Sequence, residues 1–254
     1  MDAIFKTDQG KIRKLNEELN EDSGGIFLNS ANHYLAIVAD GMGGHNAGEV
    51  ASQIAVSSLG ELWENTDSFT SPEMAEQWIR TQVEYVNKKI FEHSQLHPEC
   101  EGMGTTLVAA LCLDGFATIV NIGDSRCYLH NENGFKQITE DHSLVNELVK
   151  AGEISAEDAE FHPRKNMLLK AMGTELETDM DILTITLEEN DKLLLCSDGL
   201  SNKLSVAEMQ EIIEDEMELD QKAKKLINLA NHYGGEDNIS VAIIAAQAES
   251  RCKD

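Results

Sequence analysis

Thr105-Thr-Leu-Val-Ala-Ala-Leu-Cys-Leu-Asp-Gly-Phe-Ala-Thr-Ile-Val-Asn121 reads as two strands, Thr105 to Cys112 and Phe116 to Asn121, turning at Asp114-Gly115. Asp-Gly supplies the positive-φ residues that a tight hairpin turn requires. A second pair follows at once, Arg126 to His130 and Phe135 to Ile138, around a turn containing Asn133-Gly134. Sequential hairpins make antiparallel sheet. Further out, helical periodicity runs through Ala47 to Trp63, Pro72 to Gln95, His142 to Ala151 and Gln221 to His232, with Pro72 near the start of the second helix. Helices separated by strand meanders, without strict βαβ alternation, predict an α+β fold of sheets packed face to face with helices outside. No interior Pro/Gly/Ser-rich linker interrupts the 254 residues, so a single domain over 1–254 is expected.

Four aspartates mark the ends of apolar runs. Asp40 follows Leu35-Ala-Ile-Val-Ala39, Asp124 follows Ile119-Val-Asn-Ile-Gly123, Asp198 follows Leu193-Leu-Leu-Cys-Ser197, and Asp237 precedes Ile239-Ser-Val-Ala-Ile-Ile244. Strand ends that converge would bring these carboxylates together, and like charges a few ångströms apart do not all stay ionised without cations. The pattern therefore predicts a metal site. Carboxylate and carbonyl oxygens are hard ligands suited to Mg²⁺ or Mn²⁺ rather than zinc. Asp40 is the natural bridge between two ions, because Gly41, Gly43 and Gly44 let the backbone approach and let a carbonyl join the shell.

Composition narrows the class. A formal net charge of -26 repels phosphate backbones, so nucleic acid is not an expected partner. Much of that charge is expected on solvated helix faces such as Glu208 to Glu218. Cys100, Cys112, Cys127, Cys196 and Cys252 are odd in number and have no Cys-x-x-Cys spacing; they read as reduced core thiols, with Cys252 exposed on the tail. No signal pattern and no membrane-length apolar run is seen, and the reading is a cytoplasmic monomer without membrane insertion. Other phosphate chemistries do not match: there is no Walker loop, no kinase His-Arg-Asp stretch and no Cys-x5-Arg. Asp179-Met-Asp181-Ile-Leu-Thr184 carries Leu183 where an aspartyl-phosphate hydrolase has Thr, and is read as a loop entering the strand Ile182 to Leu187.

The ordered blocks Asp8-Gln-Gly10, Arg13, Asn20-Glu-Asp22, Ala39-Asp-Gly-Met-Gly-Gly-His45, Gly102-Met-Gly-Thr-Thr106, Gly123-Asp-Ser-Arg126, Glu140-Asp-His142, Ser197-Asp-Gly199 and Glu236-Asp-Asn238 resemble the PPM (PP2C) family of metal-dependent protein Ser/Thr phosphatases, in its compact bacterial form. The resemblance implies a four-layer α-β-β-α sandwich of two antiparallel sheets, with a metal cluster in a cleft at one end. It implies Mn²⁺ or Mg²⁺ as cofactor, two catalytic ions and a weaker third. Asp40 would bridge the two ions, Gly41 would offer its carbonyl, Asp198 and Asp237 would complete one shell, and Asp22 would lie near the other ion. Asp124, helped by Asp198, would hold the third. Arg13 resembles the arginine that grips substrate phosphate, a role suited to its planar fork.

This chain departs from the family's Arg-x-x-Asn-Glu-Asp pattern, because Leu15-Asn-Glu-Glu18 is followed by the near copy Leu19-Asn-Glu-Asp22. Counting from Arg13 puts Glu18 in the ligand slot; counting back from the strand at Gly25-Ile-Phe27 selects Asp22, the preferred reading. His45 is either the acid that protonates the leaving alkoxide or a residue lining the cleft. A polar segment at about 144–170 matches the family's flap, whose His162, Arg164 and Lys165 either meet substrate or sit in solvent. The activity implied is hydrolysis of phosphoserine and phosphothreonine by a metal-bridging hydroxide, with phosphorylated proteins, a Ser/Thr kinase and its substrates as partners. The alternatives are a pseudophosphatase acting as a regulatory binding module, and a phosphatase dedicated to one small protein.

Overall fold

The computed structural model describes residues 1–15, 19–43 and 47–246. The chain opens with β1 (Asp2–Asp8), α1 (Lys11–Leu15), β2 (Asp22–Leu28) and β3 (Tyr34–Met42), then two long helices, α2 (Ala47–Glu64) and α3 (Pro72–Leu96). The central meander follows as β4 (Gly104–Thr105), β5 (Leu107–Leu113), β6 (Phe116–Ile122), β7 (Arg126–Asn131) and β8 (Gly134–Gln137). After α4 (Leu144–Lys150) and α5 (Ala156–Glu160) come β9 (Asp181–Thr186), β10 (Lys192–Cys196), α6 (Asp198–Ser201), α7 (Val206–Glu214), α8 (Leu219–His232) and β11 (Ile239–Ala245).

One sheet has the order β1-β11-β10-β7-β8; the other runs β2-β3-β5-β6-β9, with β4 paired to β3. Every pairing between strands is antiparallel. Both central hairpins form where the sequence places them, since Gly115 and Gly134 take the positive φ their turns need. Three apolar layers separate the four structural ones. Leu35, Ile37, Leu107 and Leu111 pack under α2 and α3, together with Trp63 and Ile79. Tyr128, Leu194, Val241 and Ile243 pack under α7 and α8. Val38, Val108, Cys127, Leu195 and Ala242 fill the space between the sheets. Because both faces are covered, β5 is buried along its whole length and reads as a continuous apolar run rather than an alternating one.

Two boundaries differ from the sequence reading. The helix expected from His142 begins at Leu144, with Ser143 as its N-cap, because the His142 backbone is held by strand-end partners. The acidic run Glu208 to Glu218 is not one helix face: α7 ends at Glu214 and Asp215 turns to extended backbone before α8. Cys100, Cys112, Cys127 and Cys196 are free and buried, as expected; Cys252 lies outside the described residues. Among the described residues, no helix is long and apolar enough to cross a membrane.

Candidate metal centre

Asp40 stands near the end of β3, directly opposite Asp22 at the start of β2. Its backbone is pinned on both sides, since its N–H donates to Thr106 Oγ1 at 2.9 Å and its carbonyl accepts from Thr106 N at 2.8 Å and Thr105 Oγ1 at 2.9 Å. At Gly41 the first turn of α2 comes so close that a Cβ would sit 2.1 Å from the Gly48 carbonyl oxygen. Only glycine permits that approach. Asp22 Oδ2 accepts from Ser197 Oγ at 2.7 Å, and Ser197 Oγ accepts from Ser240 N at 3.0 Å, so β2, β10 and β11 share one buried hydrogen-bond chain. Asp198 opens α6 and accepts from Asn202 Nδ2 at 3.0 Å. Asp237 Oδ1 accepts from Arg13 Nη1 at 2.9 Å, while Arg13 Nη2 reaches Glu21 Oε2 at 2.6 Å.

The electrostatics show a shared site. Burial pushes the Asp22 carboxyl up to about 7, against hydrogen bonds from Ser197 and Ser240 and with added repulsion from Asp198 and Asp237. Burial likewise pushes Asp124 to about 7, helped by Asp198 and Asp141 and opposed by Arg126. Asp198 rises to about 6 by burial and the Asp237 charge. Asp40 rises well above the carboxylate range: burial leads, and Asp22, Asp198, Asp237 and Asp124 all repel its charge. Five carboxylates therefore feel one another at one end of the sandwich.

This arrangement fits hydrated hard cations. Oδ1 of Asp22 and Oδ1 of Asp198 are buried without a hydrogen-bond partner among the described residues, and an orphaned buried carboxylate oxygen is costly unless a cation or a proton meets it. The donors are all oxygen, the set that Mg²⁺ and Mn²⁺ prefer. Among the described residues, no three His, Cys, Asp or Glu side chains close on one point as a ready-made cage.

The residues predicted from sequence are placed as follows. Asp22, Asp40, Asp124, Asp198 and Asp237 come together, and Arg13 joins them through Asp237. Asp22 lies across from Asp40 in spite of the repeated tetrad, while Glu18 and His45 lie outside the described residues. The polar segment at 144–170 comprises α4, α5 and an irregular return, and it walls a cleft of about 800 Å³ that ends at Asp124. Lys165 lines this cleft with Phe161, Lys203 and Leu204. Arg164 is exposed, and its N–H donates to His162 Nδ1 at 3.2 Å. Sequence reading gave no role to Glu21, Thr106 or Ser197. All three lie inside the quoted blocks, but what they do depends on cross-strand register, which a single sequence does not display.

The protein phosphatase 2C family model matches residues 9–237. The chain is 46% identical over 254 residues to the serine/threonine phosphatase stp of Listeria monocytogenes, covering 100% of this chain and 99% of that one. It is 41% identical over 249 residues to the protein phosphatase PhpP of Streptococcus pneumoniae, covering 98% of this chain and 99% of the relative. Among solved structures, the serine/threonine phosphatase Stp1 of Staphylococcus aureus superposes with a TM-score of 0.90 at 38% identity, covering 97% of this chain and 95% of that one. The PstP catalytic domain in complex with two manganese ions superposes at 0.83 with 32% identity, covering 97% and 98%. With its carboxylate-lined sheet ends, a match over 9–237 and full-length relatives above 40% identity, the chain belongs to the protein phosphatase 2C family.

Proposed function

We propose that this protein is a metal-dependent phosphatase that hydrolyses phosphoserine and phosphothreonine on proteins, opposing a Ser/Thr kinase. The observation that carries this reading is the gathering of Asp22, Asp40, Asp124 and Asp198, all with carboxyl pKa values pushed upward, beside Arg13 and Asp237. Asp40, Asp198, Asp237 and the Gly41 carbonyl would hold two divalent ions between them, with Asp22 on one side and Asp124 holding a weaker third. Manganese is the favoured metal, because a structural relative carries two such ions. Bound there, the ions supply an acidified water for in-line attack on phosphorus and positive charge for the phosphoryl oxygens.

The chain's own residues do the rest. Arg13 is held beside the carboxylates by Asp237 and Glu21, and a planar guanidinium there would suit bidentate capture of a phosphate dianion. Asp237 and Glu21 fix the guanidinium before substrate arrives, which lowers the ordering cost of binding. The cleft of about 800 Å³ between the 144–170 segment and α6–α7, with Lys165 and Phe161 in its lining, would take the polypeptide around the phosphorylated residue. The rival reading, a pseudophosphatase, rests on the repeated tetrad; Asp22 still faces Asp40 despite it, and this supports turnover.

Phosphate release from a phosphothreonine peptide, measured with Mn²⁺, with Mg²⁺ and with EDTA, tests the proposal. Turnover should require the metal and fall by more than about a hundredfold in Asp198→Asn, since even outer partners of a metal are worth about 10–100-fold. A folded wild-type chain that binds Mn²⁺ yet releases no phosphate would move the pseudophosphatase to first place.

A further inference from the structure

Asp141 and His142 hold neither metal nor phosphate in the reading above, yet both reach the loop that carries Asp124. His142 Nδ1 accepts the Gly123 N–H at 3.2 Å, and the His142 N–H donates to the Gly123 carbonyl at 2.9 Å. Asp141 accepts Arg126 Nε on both oxygens at 3.0 Å and Arg126 Nη2 at 2.6 Å. Gly123 and Arg126 bracket Asp124 and Ser125, so the adjacent pair 141–142 grips the loop on both sides of the carboxylate. The other face of the loop is equally fixed. A Cβ at Gly123, whose φ is +99°, would lie 2.7 Å from Thr106 Cγ2, and Thr106 Oγ1 meets Ser125 Oγ at 2.7 Å.

His142 also forms the neck of the 144–167 segment. Its carbonyl accepts the Leu169 N–H at 2.8 Å, Leu144 N–H donates to the Met167 carbonyl at 2.9 Å, and Ser143 bridges Leu168. The His142 Nε2 lies 3.2 Å from Asp181 Oδ2 on β9 without completing a hydrogen bond among the described residues. One imidazole, only 8% exposed, thus touches the Asp124 loop, sits at the junction of both ends of the flap, and faces the second sheet's edge strand.

We propose that Asp141 and His142 are positioning residues that couple the seating of the 144–167 segment to the placement of the Asp124 carboxylate. The inference rests on the phosphatase reading only for its kinetic consequences. Movement of the flap would pull on Gly123 through His142 and on Arg126 through Asp141, turning Asp124 toward or away from the ion nearest it. Hydrogen-bonded partners behind metal carboxylates act in this way elsewhere.

The test uses the full chain and the variants His142→Ala, His142→Asn and Asp141→Asn. Asparagine offers an acceptor oxygen near the place of Nδ1 and keeps the Gly123 hydrogen bond. Amide hydrogen exchange, which needs no turnover, should quicken in both 144–167 and 121–126 in His142→Ala and return toward wild type in His142→Asn. Faster exchange in 144–167 alone, or in neither segment, overturns the coupling. In turnover, His142→Ala should raise the half-saturating Mn²⁺ concentration about tenfold, with activity recovered at high Mn²⁺. The same change made in Asp124→Asn should add almost nothing, because the two act through one carboxylate. Equal losses in both backgrounds, or a loss that Mn²⁺ does not recover, would assign His142 to folding alone. Should His142→Ala not fold, Asp141→Asn carries the exchange readout with the same expected direction. A wild-type chain without turnover defeats the phosphatase reading, and the exchange pattern still decides the coupling.

Discussion

The Asp40 carboxyl is buried among four other aspartates, whose charges all repel its own. An unfolded chain exposes it to water as an ordinary carboxylate, so folding without metal must either retain a proton or bury a repelled anion. Asp40→Asn removes that conflict. At pH 8 in EDTA the variant should be more stable by about 1 kcal/mol or more, which raises the thermal midpoint by about 2–4 °C in a chain of this size. The gain should vanish in Mn²⁺, where the wild type binds ions that the variant has lost, and turnover should disappear. A metal-free variant less stable than wild type would mean that Asp40 has a structural partner other than a cation. This tension was legible in the sequence, because an aspartate ending an apolar run is conspicuous. The partners were not. Ser197 holds Asp22 and Thr106 holds Asp40 only because of the way three strands align, and a serine or threonine beside an aspartate carries no mark of that alignment.

At the level of elements, α3 does more than cover a sheet. Asn87, almost wholly buried, donates to the Glu175 carbonyl at 3.0 Å and the Leu176 carbonyl at 3.1 Å, and accepts from the Gly173 N–H at 2.7 Å. One side chain thereby satisfies three backbone groups of the irregular stretch between the flap and β9. Asn87→Leu leaves the buried Gly173 N–H unpaired, at a cost of about 1–3 kcal/mol, while the carbonyls of the exposed Glu175 and Leu176 can turn to water. Urea unfolding should show a loss of roughly 1–3 kcal/mol with an unchanged m-value; a loss below about 0.5 kcal/mol would mean that water replaces the amide. The hairpins of the central meander were readable because Asp114-Gly115 and Asn133-Gly134 encode their turns locally. β1 was not read. It lies at a sheet edge with half-buried residues on both faces, and its strand character comes from pairing with β11 at the opposite end of the chain. The break after Glu214 was equally hidden, since nothing in the acidic run announces the extended turn at Asp215.

Across the whole molecule, the buried carboxyls make stability depend on pH and on metal in opposite senses. Asp198 retains its proton up to about 6, Asp22 and Asp124 up to about 7, against an ordinary value of 3.8 in an unfolded chain. Below that ordinary value both states are protonated and their contribution is complete. Between about 4 and 7 the unfolded chain releases protons that the folded chain keeps, so metal-free stability falls as pH rises and levels once the folded groups ionise. The surface carboxylates with depressed values, such as Glu208 and Glu236, act the other way, but only where pH drops toward 4.5 and below. Repulsion among surface charges at a net -26 also grows with pH, yet it is screened by salt, whereas the buried cluster is screened far less. Metal binds the ionised carboxylates, so its affinity climbs over the same range. Thermal midpoints in 0.5 M NaCl, where surface charges are largely screened, should therefore fall from pH 5 to pH 8 in EDTA, while the rise produced by saturating Mn²⁺ widens. A metal-free midpoint that climbs across this window, or a manganese effect independent of pH, would show that the carboxyls ionise freely and that the cluster at the sheet ends is not one electrostatic unit.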